Sequence, residues 1–244
     1  IRVRRALAMA IDREAIKRDF YTGEAELLTS PVAPYAEFMD IFTPLNEQSE
    51  VVQEYYGYHP DKAKQLLAEA GYPNGFKTEI VCWQQHVDLL SIVKDYWAKI
   101  GVDPSLSVKE YAVWTSIRMQ RAHKQMLASS MGTVAPYLLG CFRQDTWENA
   151  SMVNDPRVQA AWNAIFPNLV VNDAKVREIL KPLFPYILDQ CWFIEMPDPY
   201  IYTMWQPWVK GYNGEFSVGY SNEYNFPIWI WCDPDLKKEL TGRR

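Results

Sequence analysis

Tyr58-His-Pro-Asp-Lys-Ala-Lys-Gln-Leu-Leu-Ala-Glu-Ala-Gly-Tyr-Pro-Asn-Gly-Phe76 is the stretch whose reading decides the fold. Pro60 suits the first position of a helix, where its missing N–H costs nothing. Ala63, Leu66, Leu67 and Ala70 recur at i, i+3, i+4 and i+7, which gathers them on one apolar face. Gly71 supplies a left-handed terminal residue, and Pro73 and Gly75 prevent continuation. The stretch therefore predicts a short, sharply bounded helix packed on a core.

Working outward, Thr78 to Trp83 reads as a strand. His86 to Ile100 reads as a helix, with Leu89, Leu90, Val93, Tyr96, Trp97 and Ile100 inward and Gly101 as its stop. Leu106 and Val108 alternate with polar residues in a second strand. Strand, helix, strand in this order predicts a βαβ unit with parallel pairing. Upstream, Val3, Leu7, Ala10 and Ile11 have helical spacing, and Asp12 can cap a further turn through Ala15, Ile16 and Phe20. Thr29 to Glu54, with Pro31, Pro34 and Pro44, reads as loop.

Downstream, Trp114 to His123 is a predicted helix and Leu127 to Met131 a short strand. Asn154 or Asp155 caps a helix that Pro156 opens, with Val158, Ala161, Trp162 and Ile165 on one face. Asp173 opens another, which Pro182 and Pro185 must kink or split. Cys191 to Ile194 and Tyr200 to Trp205 read as strands. An irregular aromatic tail follows, then a short helix from Asp233 to Leu240.

A chain of 244 residues is long enough to bury a full core without staples. Its net charge of −5 argues against a nucleic-acid binder, which needs cations for phosphates. No apolar run reaches the roughly 20 residues that span a bilayer. Ten Trp, fifteen Tyr and ten Phe are enough for both a core and a stacking-rich concave surface. Cys82, Cys141, Cys191 and Cys232 are widely spaced, which disfavours zinc and leaves either disulfides or buried thiols. The chain opens in what reads as the middle of a helix rather than in a signal peptide, so it is expected to be a piece of something longer.

Motifs for catalysis are missing: no G-x-x-x-x-G-K-[ST], H-E-x-x-H or G-x-S-x-G occurs. His59, His86 and His123 show no ligand spacing and read as surface or cap residues. Glu195, Asp198 and Glu215 are the acids that a glycosidase pair would draw on; solvated loop acids are the plainer reading. Asn149-Ala-Ser151 matches a glycosylation acceptor, a triplet common by chance. No cofactor or metal is expected. Trp83-Gln84-Gln85 follows the first strand of the βαβ unit, and ligands gather outside the carboxyl ends of such strands. An indole beside two amides suits stacking and hydrogen bonding. Tyr137, Trp205 and Trp208 are weaker candidates on the same ground.

The opening stretch resembles a "Tyr-Asp-Pro-x-Lys-Ala-Lys-x-Leu-Leu-x-Glu-Ala-Gly-Tyr" signature of the extracellular solute-binding proteins of ABC importers, in the peptide/nickel-binding family. His59 stands where that family has Asp or Asn. Val3-Arg-Arg-Ala-Leu-Ala-Met-Ala-Ile-Asp-Arg-Glu-Ala-Ile16 and Trp97-Ala-Lys-Ile-Gly-Val102 resemble two further family strings. Gly23, Ala25, Pro31, Pro34 and Trp208-Val-Lys-Gly-Tyr212 echo others.

The resemblance implies an α/β fold: a type II periplasmic-binding-protein-like lobe with a mixed central sheet flanked by helices. Residues 1–244 would be a single C-terminal lobe, with 207–244 an aromatic tail returning toward an absent N-terminal lobe. It implies non-catalytic capture of a small solute (peptide, sugar or related compound) and presentation to an ABC permease. The location would be periplasmic or extracellular, as a lipoprotein or secreted protein. Family members pair a strand edge with the ligand at a "Gly-Trp-x-x-Asp" segment, whose Asp takes a peptide amino terminus. By position, Ser130 and Met131 replace Gly-Trp here, and no carboxylate lies between Leu127 and Cys141. An unpaired buried ammonium is costly, so a ligand without one is expected. The expected ligand-binding residues are Trp83, Gln84, Ser130, Met131, Gly132, Thr133 and Tyr137. The rival readings are a glycoside hydrolase or carbohydrate-binding module that uses the aromatic surface, and a stand-alone interaction module.

Overall fold

The stretch at 58–76 folds as its residues dictate. In the computed structural model, which describes residues 1–129, 139–214 and 226–243, Pro60–Glu69 is helical, with Pro60 in the first turn. Upstream helices are α1 (Arg2–Met9), α2 (Arg13–Ala15) and α3 (Glu50–Tyr56), so this one is α4. His59 contributes no side-chain cap. The carboxyl end closes through two bonds: Gly71 N–H to the Ala68 carbonyl at 3.0 Å and Tyr72 N–H to the Leu67 carbonyl at 2.8 Å. This is a Schellman closure, with Gly71 at φ +94°. Ala63 and Leu67 are buried against α1.

Asp12 caps α2 by accepting the Ala15 N–H at 2.9 Å, and a π turn over Ile16–Phe20 follows. The proline-rich segment expected as loop to Glu54 ends sooner. Ser49 accepts the Val52 N–H at 3.3 Å and starts α3, which buries Val52, Tyr55 and Tyr56. The prolines end at Pro44 and do not reach this helix.

The βαβ unit is present. β2 (Phe76–Trp83) pairs in parallel with β3 (Val102–Lys109) along its whole length, and α5 (Val87–Ala98) crosses between them; the short β1 (Ala25–Glu26) lies upstream. β4 (Met126–Leu127) pairs in parallel with the other edge of β2, reached through α6 (Tyr111–Gln120). The central sheet has the order β3-β2-β4, so β2 is its middle strand. Pro104 lies on the edge strand β3, where a missing N–H is tolerated. The predicted strand at Leu127 to Met131 is thus seen through its start, because residues 130–138 lie outside the described residues.

α7 (Pro156–Ile165) is capped by Asp155, whose carboxylate accepts the Arg157 and Val158 N–H groups at 2.9 and 3.1 Å. α8 (Asp173–Gln190) runs unsplit through Pro182 and Pro185, with Asn172 as its cap. The apolar face of α8 explains why it survives two lost N–H groups: Val176, Leu180, Leu183, Phe184, Ile187 and Leu188 are all buried. Cys191 to Ile194 is not a strand. Cys191 takes the left-handed conformation that ends α8, and Phe193 and Ile194 pack on the core without a ladder. The ladder comes later, at β5 (Asp198–Pro199), antiparallel to β1. Tyr200 to Trp205 also lacks strand pairing.

Two cores fill the first of two compact units, Ile1–Pro199. One joins α1, α3, α4, α5 and the sheet; the other joins α7 and α8 to Val32, Phe38, Ile41, Leu139 and Phe142. The second unit, Tyr200–Arg244, contains an antiparallel ribbon of β6 (Val209–Lys210) and β7 (Trp231–Cys232) and then α9 (Pro234–Thr241), capped by Asp233. All four cysteines are free thiols: Cys82 and Cys191 are buried, Cys141 is half-buried and Cys232 is exposed.

Candidate ligand-binding site

The carboxyl end of β2, the middle strand, is where a parallel sheet presents a crevice, because β3 and β4 leave on opposite sides of it. Trp83 is the last residue of β2 and is half-buried. Around it the chain builds an aromatic shelf. The Trp83 ring centroid lies 4.9 Å from Tyr111, 5.8 Å from His86 and 6.1 Å from Trp114. Tyr111 stacks on Trp114 at 5.8 Å, with an interplanar angle of 29°.

The shelf is fixed from behind. Trp114 is 4% exposed and donates its indole N–H to the Ala128 carbonyl at 3.0 Å. Ala128 in turn donates its N–H to the Val81 carbonyl at 2.9 Å. The sheet edge and the first turn of α6 are thereby locked together. Tyr111 is 59% exposed, so its face is open to a solute. Arg118, about one turn beyond Trp114 on α6, lies over Trp114 and Trp147 with its guanidinium carbon 5.8 and 4.9 Å from the ring centroids.

Burial pushes the His86 imidazole below its ordinary value, which makes it a neutral ring at neutral pH. It takes the N-cap position of α5, as expected of a cap residue, but makes no side-chain capping bond, and its ring joins the aromatic wall. Gln84 and Gln85 form the short helical turn beside Trp83 and are exposed. Ser130, Met131, Gly132, Thr133 and Tyr137 lie outside the described residues. Tyr111, His86 and Trp114 escaped the sequence reading. The parallel register, which sets Trp83 opposite Lys109, brings the start of α6 up to it.

The other acids and motifs resolve differently. Glu195 is not a solvated loop acid: its carboxylate accepts the Tyr56 hydroxyl and both the N–H and hydroxyl of Thr29, the latter two at 2.8 Å. Burial pushes its carboxyl up to about 7, outweighing those bonds. Asp198 is exposed in β5, and Glu215 lies outside the described residues. Asn149 is fully buried and spends its side chain on the Arg143 and Val153 backbone, so it offers no amide to a glycan. Trp205, 45% exposed, packs edge-on against Tyr212 within the second unit. Among the described residues, no group of three or more metal-binding side chains converges, and no helix is long and apolar enough to cross a membrane.

Comparison with known proteins agrees with this architecture. The model of the bacterial extracellular solute-binding proteins, family 5 Middle, matches residues 1–140. Heme-binding protein A of Haemophilus influenzae is 33% identical over 141 residues, which are 54% of this chain and 23% of that protein. Glutathione-binding protein GsiB of Salmonella typhimurium is 31% identical over 114 residues, 45% of this chain and 20% of that protein. The chain thus matches about a quarter or less of the length of these relatives. The periplasmic binding protein DppA of Helicobacter pylori, solved with a bound peptide, shares the fold. Its TM-score is 0.67 at 22% identity, over 94% of this chain and 43% of that one.

Proposed function

Because the chain belongs to the bacterial extracellular solute-binding proteins of family 5, we propose that it is part of a non-catalytic receptor that captures a small solute for an ABC importer. The observation that carries this reading is the open aromatic shelf of Trp83, Tyr111 and Trp114 at the carboxyl end of the middle strand. The fold is that of the type II periplasmic binding proteins, which close two lobes around a ligand and so bind without making or breaking covalent bonds. In this reading the chain supplies one wall of the cleft, an N-terminal lobe supplies the other, and a membrane permease receives the closed form. The protein is periplasmic or extracellular, as a lipoprotein or a secreted protein.

The solute is a peptide or a related compound that offers a flat or apolar group to the shelf. The relatives bind heme, glutathione and peptides by name. With no carboxylate between Leu127 and Cys141, the segment gives a charged amino terminus no partner, which favours a solute whose end is blocked or neutral. Gln84 supplies an amide at the rim, and by sequence position Ser130 to Thr133 and Tyr137 correspond to the family's ligand-pairing segment. The test is tryptophan fluorescence of the protein titrated with a panel of peptides, blocked peptides, glutathione and hemin. Trp83→Ala and Tyr111→Ala should weaken binding at least tenfold, and Tyr111→Ala should leave the melting temperature nearly unchanged. Unaltered affinity in both variants, or turnover of any compound, overturns the proposal.

A further inference from the structure

The β1–β5 ribbon pairs Ala25 with Pro199 and Glu26 with Asp198. Continued along the same register, the next residues on this side bring Thr29 opposite Glu195. There the backbone ladder is replaced by a side chain. The Glu195 carboxyl accepts the Thr29 N–H and hydroxyl, and on its other oxygen the hydroxyl of Tyr56 from α3. One carboxyl thus joins three segments far apart in sequence, just before the strand that runs into Tyr200 and the second unit.

We propose that the Glu195 carboxyl is a proton-operated clasp for this ribbon. Neutral, it holds the segment leading into β5 shut; ionised, it lets that segment open into water.

Three observations carry it. First, Glu195 is half-buried and its carboxyl sits among buried groups, with Tyr56 6% and Tyr55 4% exposed, so a negative charge there is poorly hydrated. Second, the nearby cation makes no direct bond to the carboxylate, so its charge offsets only part of the cost of burial. Arg13, 2% exposed, gives Nε to the Glu195 backbone carbonyl at 2.8 Å and Nη1 to the carbonyls of Ala8, Tyr55 and Tyr56. Among the described residues, no ion pair joins Arg13 to the Glu195 carboxylate, and Nη2 of Arg13 has no hydrogen-bond partner. The guanidinium is held by carbonyl dipoles. Third, the neutral acid fits the same three partners: its carbonyl oxygen accepts both Thr29 donors, and its O–H donates to the Tyr56 oxygen.

The remaining titratable neighbours do not take over the role. Tyr55 and Tyr56 on α3 are pushed further up by burial and stay neutral. The Cys191 thiol, after α8, is pushed up to about 11 by burial and also stays neutral. Asp189 at the end of α8 is engaged by the Ser49 hydroxyl, and Asp198 on β5, though surface-exposed, is raised by partial desolvation. Arg4 and Arg5 on α1 bond the backbone carbonyls of residues 189–191. The clasp is independent of what the shelf binds.

The test is amide hydrogen exchange of the whole chain between pH 5 and pH 8, corrected for intrinsic rates. Thr29 and the β1–β5 amides should lose protection by on the order of 10²-fold as pH rises through the Glu195 titration. Glu195→Gln, which mimics the neutral acid, should hold the low-pH protection throughout. Tyr56→Phe removes a donor to the ionised form and should move the midpoint to higher pH. A flat wild-type profile, a step that persists in Glu195→Gln, or an unmoved midpoint in Tyr56→Phe would each refute the clasp. If the glutamine variant fails to fold, the tyrosine variant still decides.

Discussion

Trp97 donates its indole N–H to the carbonyl of Leu7 at 2.9 Å, a bond that spans α5 and α1 and is wholly buried. Leu7 sits at the end of α1, where carbonyls lack helical partners. The indole supplies the missing donor, and its ring is 3% exposed within the core that α1, α4 and the sheet share. This contact anchors the first helix on the βαβ unit.

Trp97→Phe should therefore destabilise the chain by about 2–4 kcal/mol. A buried carbonyl left unpaired costs about 1–3 kcal/mol, and the smaller ring leaves a void. Urea unfolding measures it. A loss under about 0.5 kcal/mol would mean that water or a neighbour replaces the indole.

Two glycines of the opening stretch differ in why they are glycine. Gly71 ends α4 at φ +94° with open space where a Cβ would stand. Gly75, at φ +71°, has its missing Cβ on top of the Gly101 carbonyl. Gly71→Ala pays only the left-handed backbone term, about 1 kcal/mol. Gly75→Ala adds a backbone clash that no rotamer relieves, so its melting temperature should fall well below that of Gly71→Ala. Equal melting temperatures would show that the turn before β2 is free to shift.

The helices and the parallel unit were legible because each rests on local signals: Pro60 and Gly71 bracket α4, Asp155 and Pro156 open α7, and Gly101 ends the crossover. What was illegible depends on partners distant in sequence. α3 begins at Ser49, an ordinary cap hidden behind a proline-rich run. The apolar run at Cys191 reads as a strand by composition, yet among the described residues it forms no ladder. In the site, Trp83 was visible from its place at the end of a strand. Tyr111 and Trp114 were not, since only the register of β2 on β3 brings them to it. Glu195 looked like a loop acid because its partners, Thr29 and Tyr56, are set by the ribbon and α3.

Thiol chemistry separates the cysteines. Cys191 is 2% exposed and burial pushes its thiol up to about 11, so it carries almost no thiolate at pH 8. Cys82 is fully buried and its thiol is also raised by burial. Cys232 is exposed. An aromatic disulfide reagent at pH 8 should label Cys232 within minutes and leave Cys82 and Cys191 untouched until denaturant is added. Mass mapping of the labelled peptides decides it, and labelling of Cys191 in the native protein would contradict its burial.

Stability should carry the sign of the Glu195 proton. The folded carboxyl titrates at about 7, against an ordinary value of 4.5, so the folded state binds the proton more tightly than the unfolded chain. This contribution is present in full below the ordinary value and is lost as pH rises through 7. The separation corresponds to about 3 kcal/mol. Glu195→Gln removes the titration but keeps the neutral hydrogen-bond pattern. Other groups titrate equally in both proteins, so the difference between them isolates this one. In urea unfolding the variant should match the wild type near pH 5 and exceed it near pH 8. If the variant is instead the weaker of the two at pH 8, the ionised carboxylate is what the folded state prefers, and Arg13 must be its counter-charge across a longer distance.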